Sequence, residues 1–160
     1  IQDEYAILVD GLVRDQLGHR ASSNEEVASK LIRRIWEKIE SNVEEISIVE
    51  EKWMEDAEVA VVAYGSVYRS ALSAVEMARK EGIRAGIIRP VVIWPFNDKP
   101  FLEAASSVRA FLVPEMNIGK LVREVRRAVG REVEVMSLPK LGGALHTPEE
   151  ILEAIEKLGR

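Results

Sequence analysis

Apolar residues return along this chain in two different rhythms. From Val27 they recur every fourth position, at Leu31, Ile35 and Ile39, with Ile32 and Trp36 widening the stripe. That spacing predicts an amphipathic helix to about residue 40, its other face carrying Lys30, Arg33, Arg34, Glu37 and Lys38. Ser23, with Glu26 three residues on, is the expected cap. Ahead of it, YAILV at 5–9 reads as a short strand and 10–22 as a polar loop. The stretch 42–55 fits either more helix or a short strand around Ile46 to Val49.

From Glu58 the rhythm changes. EVAVVAY is a nearly unbroken apolar run, as in a strand covered on both faces. Gly65-Ser66 then turns the chain into a helix over 67–81, with Ala71, Leu72, Val75, Met77 and Ala78 inward and Gly82 as its stop. A second strand is predicted over 83–89. PVVIWP follows as an extended apolar segment whose two prolines bar it from the centre of a sheet. Asn97-Asp98 can cap a short helix through Ser106, and a third strand covers 108–113. Asn117 is the expected cap of a helix over 118–129 ended by Gly130, and a fourth strand covers 132–138. After a glycine-containing loop, Thr147-Pro148-Glu149-Glu150 has every mark of a helix start, and Ile151, Leu152, Ile155 and Leu158 make its apolar face.

Strands alternating with helices predict βαβ crossovers, hence a three-layer α/β/α fold with a mainly parallel sheet. The expected organisation is a linker or N-terminal extension over 1–22 and one α/β domain over 23–160. In such sheets ligands gather at the carboxyl ends of the strands. Here those ends are Tyr64-Gly65-Ser66, Arg89-Pro90, Pro114 to Asn117 and Leu138 to Lys140.

With 160 residues, 47% of them hydrophobic, one core of ordinary size is affordable. The apolar runs are far too short to span a bilayer, and no basic-then-apolar leader opens the chain. A first residue of Ile rather than Met fits a portion of a longer polypeptide. The absence of cysteine excludes disulfides and any iron–sulfur cluster held by this chain alone, and suits a cytoplasmic setting. A net charge of −5 argues against general nucleic-acid binding. Heavy use of Glu, Lys and Arg suits a thermophilic source.

Site chemistry is nearly empty. No GxGxxG or P-loop pattern occurs, and YGSVY lacks the second glycine of a nucleophile elbow. Amides at Gly65-Ser66 could accept an anion, but a plain strand-to-helix turn is the stronger reading. His19 and His146 both lie in predicted loops and read as idle surface residues, or, for His146 beside Thr147-Pro148, as a residue packed at a helix start. Glu115 and Asn117 point in alternate directions if extended, so they form no obvious ligand pair; a carboxylate at Glu115 suits a helix dipole. Trp94 and Phe96, if exposed, would anchor a protein interface.

Four pieces, AVVAYGSVYRSALSAVEMARKEGIRAGIIRP, VIWPF, VPEMNIGKLVREV and LGGALHTPEEILEAI, resemble in this order one known region. It is the C-terminal, transketolase C-terminal-like part of the alpha subunit of 2-oxoacid:ferredoxin oxidoreductases, above all the 2-oxoglutarate type. Arg14 and Lys120 stand where that family often has His and Gln. The resemblance implies a non-catalytic assembly domain, inactive alone. It implies that thiamine diphosphate, magnesium and an iron–sulfur cluster are held by other domains, with no catalytic, cofactor or metal residue here. Its implied partners are the other alpha-subunit domains, the beta subunit and, indirectly, ferredoxin, in an oligomeric complex without nucleic acid or membrane. That complex would turn a 2-oxoacid and coenzyme A into acyl-CoA, CO2 and reduced ferredoxin. Gly65, Ser66, Trp94, Phe96, Glu115, Asn117 and Gly119 are the expected interface or strand-end residues. The alternative is a free-standing α/β module that binds a small anion at the helix starts of Gly65-Ser66 and Asn117.

Overall fold

A computed structural model describes residues 11–159. The strand expected over 5–9 lies outside the described residues. The chain divides into two compact units, one reaching to Asn42 and the other beginning at Val43.

In the first unit the described residues form a loop followed by a helix. The loop closes on itself through an antiparallel bridge between Arg14 and Arg20. Inside it the Asp15 carboxylate accepts the Leu17 and His19 amides at 2.9 and 2.8 Å. Helix α1 (Glu25–Glu40) follows the predicted amphipathic stripe. Its cap is Asn24 rather than Ser23: Asn24 Oδ1 accepts the Val27 amide at 3.2 Å. Ser, Ser and Asn stand side by side here, and all three are good caps, so local chemistry alone does not choose among them.

The second unit holds a five-stranded sheet. The stretch 42–55 holds both a helix and a strand: α2 (Val43–Ile46) is one helical turn, and β1 (Val49–Lys52) is a short strand that starts at the last residue of the one expected around Ile46 to Val49. Then come β2 (Val59–Val62), α3 (Val67–Lys80), β3 (Ala85–Pro90), α4 (Lys99–Ala105), β4 (Ala110–Glu115), α5 (Leu121–Val129), β5 (Glu134–Pro139) and α6 (Pro148–Gly159). The strand order is β1-β3-β2-β4-β5. β3, β2, β4 and β5 run parallel, and β1 lies antiparallel on β3 with Val49 opposite Pro90.

The sheet divides two cores, as side chains on successive strand residues must. Val59, Val61, Ile87 and Leu112 face α3 and α6. Ala60, Val62, Ile88, Phe111 and Val113 face α4 and α5. All four residues of β2 are buried, which is why the central strand reads as an unbroken apolar run. This is the expected α/β/α sandwich. Helix α6 begins as its sequence predicts, with Glu150 N donating to Thr147 Oγ1 at 3.3 Å and Thr147 N donating to Glu150 Oε2 at 2.9 Å.

The start of α5 differs from expectation. It begins at Leu121, not at 118, and β4 runs on through Pro114 to Glu115. The residues between form a tight bend, and the reason lies in the chemistry of that corner.

Candidate functional site

Strand order reverses at β2, with β3 on one side and β4 on the other. The carboxyl ends of β2 and β4 therefore flank the crevice where this architecture collects function. The corner is built from Tyr64, Gly65 and Ser66 on one side and from Glu115 to Lys120 on the other.

Glu115, the last residue of β4, is fully buried. Its Oε2 accepts the amides of Lys120 and Leu121 at 3.0 and 2.9 Å, and its Oε1 accepts that of Val122 at 3.1 Å. The first turn of a helix exposes amides with no partner of their own and carries a partial positive charge. A carboxylate sent from the preceding strand meets both needs, so Glu115 caps α5. Asn117 does a different job from the one expected. Its Oδ1 accepts the Gly119 and Lys120 amides at 2.9 and 2.8 Å, closing the bend before the helix. Its Nδ2 donates to the Tyr64 hydroxyl at 3.3 Å and so ties that bend to the end of β2. Glu115 and Asn117 thus converge on one set of amides rather than pointing apart.

Two glycines permit this geometry. Gly119 has φ +93°, and a Cβ there would stand 3.1 Å from Val122 Cγ1. Gly65 has φ +56° with open space around it, so its turn demands the backbone angle and not a close approach. Ser66 precedes α3 without capping it; its hydroxyl lies 3.8 Å from Met116 Sδ, a weak link across the same crevice.

The arrangement bears on anion binding. At α5 the amides that would receive an anion are already held by the chain's own carboxylate. A phosphate or diphosphate does not fit that seat, which removes one of the two helix starts on which the small-anion alternative depended. Replacing Asn117 by Ala is expected to lower stability by about 1 kcal/mol through the loss of its turn and its tie to Tyr64. Thermal melts of the variant check this, and Tyr64→Phe should lose only the part that belongs to the tie.

The remaining expected residues lie apart from this corner. Trp94 is 69% exposed, as an anchor should be. Phe96 is not an exposed anchor: it is half-buried, stacked on Phe101 at 4.7 Å between centroids, with the Arg127 guanidinium over its ring. Trp94, two residues earlier, is solvated, while the Phe96 ring packs against the α4–α5 core.

Of the two readings of His146, the packed one holds and the surface one does not. Far from being a surface residue, it is 3% exposed, and its Nε2 lies 2.9 Å from the Leu138 carbonyl at the end of β5. The other ring nitrogen is enclosed without a partner. The adjacent Thr147-Pro148 helix start hints at packing, but the contact with the end of β5 is tertiary. Burial pushes its pKa below the usual imidazole value; the Leu138 carbonyl opposes this and the Lys140 charge adds to it. The unfolded chain therefore binds this proton more readily than the folded one. Stability is full above the ordinary histidine pKa and falls as pH drops from there toward the lowered folded value. His146→Gln should flatten that part of the stability–pH curve, as read by denaturant melts between about pH 7 and pH 5. His19, by contrast, is exposed and sits 3.5 Å from Asp15.

Among the described residues no group of three or more His, Cys, Asp or Glu side chains could hold a metal ion. No helix among them is long and apolar enough to cross a membrane.

Comparison with known proteins agrees with this geometry. Residues 57–151 match the model of the pyruvate:ferredoxin oxidoreductase core domain II. The 2-oxoglutarate synthase subunit KorA of Methanothermobacter marburgensis is 43% identical over 153 residues, 96% of this chain and 41% of that protein. The chain thus spans about two-fifths of the length of this curated relative. A solved 2-oxoglutarate:ferredoxin oxidoreductase from Magnetococcus marinus, with 2-oxoglutarate, coenzyme A and succinyl-CoA bound, superposes with a TM-score of 0.84 at 19% identity. That match covers 99% of this chain and 28% of the solved one. A split-gene transketolase, an inactive tetramer, matches at a TM-score of 0.58 and 24% identity over 66% of this chain and 40% of its own. The two structures establish the shared fold.

Proposed function

This chain belongs to the pyruvate:ferredoxin oxidoreductase core domain II family, and from that premise we propose that it is a non-catalytic assembly domain of a 2-oxoacid:ferredoxin oxidoreductase, of the 2-oxoglutarate type. The complex would oxidise and decarboxylate a 2-oxoacid, pass the acyl group to coenzyme A and send the electrons to ferredoxin, in the cytoplasm. Thiamine diphosphate, magnesium and the iron–sulfur cluster would be held by its other domains and subunits.

The observation that carries this reading is the self-satisfied corner between β2 and β4. Glu115 and Asn117, the polar side chains that reach the first amides of α5, are both spent on the bend itself. A site built this way holds a shape; it does not offer a nucleophile or a base. Gly65, Ser66, Glu115, Asn117 and Gly119 would then fix the rim of the domain, and Trp94 would meet a neighbour.

The test is a replacement. The 153-residue stretch of the M. marburgensis KorA that matches this chain is exchanged for the chain itself, and the complex is assembled with its partner subunits. The exchanged complex is expected to reduce ferredoxin with 2-oxoglutarate and coenzyme A. The isolated chain is expected to give no turnover and to bind no thiamine diphosphate. Turnover by the isolated chain would reject the reading, and so would an exchanged complex that assembles no better than one lacking the stretch altogether.

A further inference from the structure

An apolar strap crosses the end of β3. Val91, Ile93 and Trp94 are 44%, 45% and 69% exposed, and Ile48, just before β1, is 54% exposed. The strap is held from behind. Val91 N and Val92 N both donate to the Ile48 carbonyl, at 2.9 and 3.3 Å. Ser47, which is 2% exposed, donates its hydroxyl to the Pro95 carbonyl at 2.5 Å. These large apolar side chains are thus fixed in water by hydrogen bonds that the sheet edge supplies.

Such an arrangement costs free energy in the isolated unit and lowers the entropy lost on docking. Tryptophan is one of the residues enriched among interface hot spots. The neighbouring charges are paired within the chain: Arg89 with Glu50 at 3.0 Å, and Lys99 with Glu44 at 3.4 Å. The Arg89 guanidinium also lies over the Tyr68 ring, 4.5 Å from its centroid. A partner that docked by charge would have to break these pairs, whereas an apolar one would leave them in place.

We propose that the strap formed by Ile48, Val91, Ile93 and Trp94 is the docking surface for an apolar face on the part of a KorA-type subunit that lies outside the matched stretch. The occupant follows from length. The matched relative carries more than half of its own chain beyond the stretch, on the same polypeptide. Tethering of that kind raises the effective concentration of the neighbour to about the millimolar range, far above that of any free partner. The proposal rests on the assembly reading and adds to it the face, the anchor and the apolar character of the contact.

Two measurements test it. Hydroxyl-radical oxidation of Trp94 is timed in the isolated chain and in the exchanged KorA, with Trp53 as internal reference. Trp94 should react about fivefold more slowly in the exchanged subunit, as a centrally buried anchor does. Equal rates overturn the proposal. So does protection that appears in the isolated chain and grows with its concentration, which would make a second copy the occupant. In the second measurement the isolated chain is titrated against KorA from which the matched stretch has been deleted. Trp94→Ser should weaken that association about tenfold or more, and about 0.5 M salt should change it far less. No association, no effect of Trp94→Ser, or a loss governed by salt instead overturns the proposal. An exchanged complex that reduces ferredoxin while Trp94 stays fully reactive rejects this face and leaves the assembly reading standing. Failure of the exchanged complex to assemble, together with tight Trp94-dependent titration, does the reverse.

Discussion

Replacing Glu115 with alanine is expected to lower stability by about 4 kcal/mol, a fall of about 12 °C in melting temperature. The carboxylate accepts three backbone amides, from Lys120, Leu121 and Val122, and no part of Glu115 reaches solvent. Leu121 and Val122 are themselves buried, so water would not easily take over. Truncation leaves amide donors unpaired at the positive end of a helix, in a cavity the size of the lost side chain. Each hydrogen bond to a charged group is worth about 1.5–3 kcal/mol, and the three are not additive because they share one acceptor group. Glu115→Gln keeps one acceptor oxygen and loses the charge, and should cost about 2 kcal/mol, close to half the effect of alanine. Thermal melts of both variants check the ranking. A Glu115→Ala protein that melted like the parent would mean that α5 is capped by something else.

Gly86→Val is expected to be comparably severe, costing about 3 kcal/mol or more. Gly86 is the second residue of β3, opposite Ala60 of β2 and one residue before Ile87, where the pairing with β1 begins. A Cβ there would lie 2.5 Å from Met54 Sδ, 2.7 Å from the Trp53 carbonyl oxygen and 3.0 Å from Ala57 Cβ. Met54 is a flexible side chain and can move. The Trp53 carbonyl is backbone and is less free, because Trp53 is itself held at φ +55°. That left-handed residue turns the chain from β1 back over the sheet. Its ring faces the Arg79 guanidinium, which also grips Asp56 through two hydrogen bonds of 2.9 Å and donates to the Ala85 carbonyl. Yielding to a new side chain would disturb that whole corner. Gly86→Ala separates the contributions. It brings the same Cβ without branching, so it should cost less than valine yet clearly more than a glycine-to-alanine change in open strand. Equal stability of all three proteins by chemical denaturation would show that the corner relaxes freely.

What the sequence made legible was what neighbouring residues decide. Thr147, Pro148 and Glu150 specify the start of α6 among themselves, and that start is where they predict it. The apolar run of β2 marks a central strand because burial on both faces leaves no polar alternation. The start of α5 was not legible, because its cap is the last residue of a strand that reaches over an intervening bend, not Asn117, four residues ahead of the first helical residue. β1 was ambiguous for another reason: Glu50, Glu51 and Lys52 are all exposed, so an antiparallel edge strand carries no apolar rhythm to detect. The burial of His146, the clamp by Ser47 and the half-buried stacking of Phe96 are products of tertiary packing. At the corner, strand-end position is what groups Gly65, Ser66, Glu115, Asn117 and Gly119 in the sequence, while the hydrogen bonds each one makes needed distances.

The antiparallel strand β1 has one more consequence. It is four residues long, and it ends the sheet with charged side chains turned outward. A boundary of that kind repels the backbone of another chain and discourages a neighbour from continuing the ladder. Fibrous stacking through that border is thereby suppressed, and association is steered away from main-chain pairing toward side-chain contact elsewhere on the body.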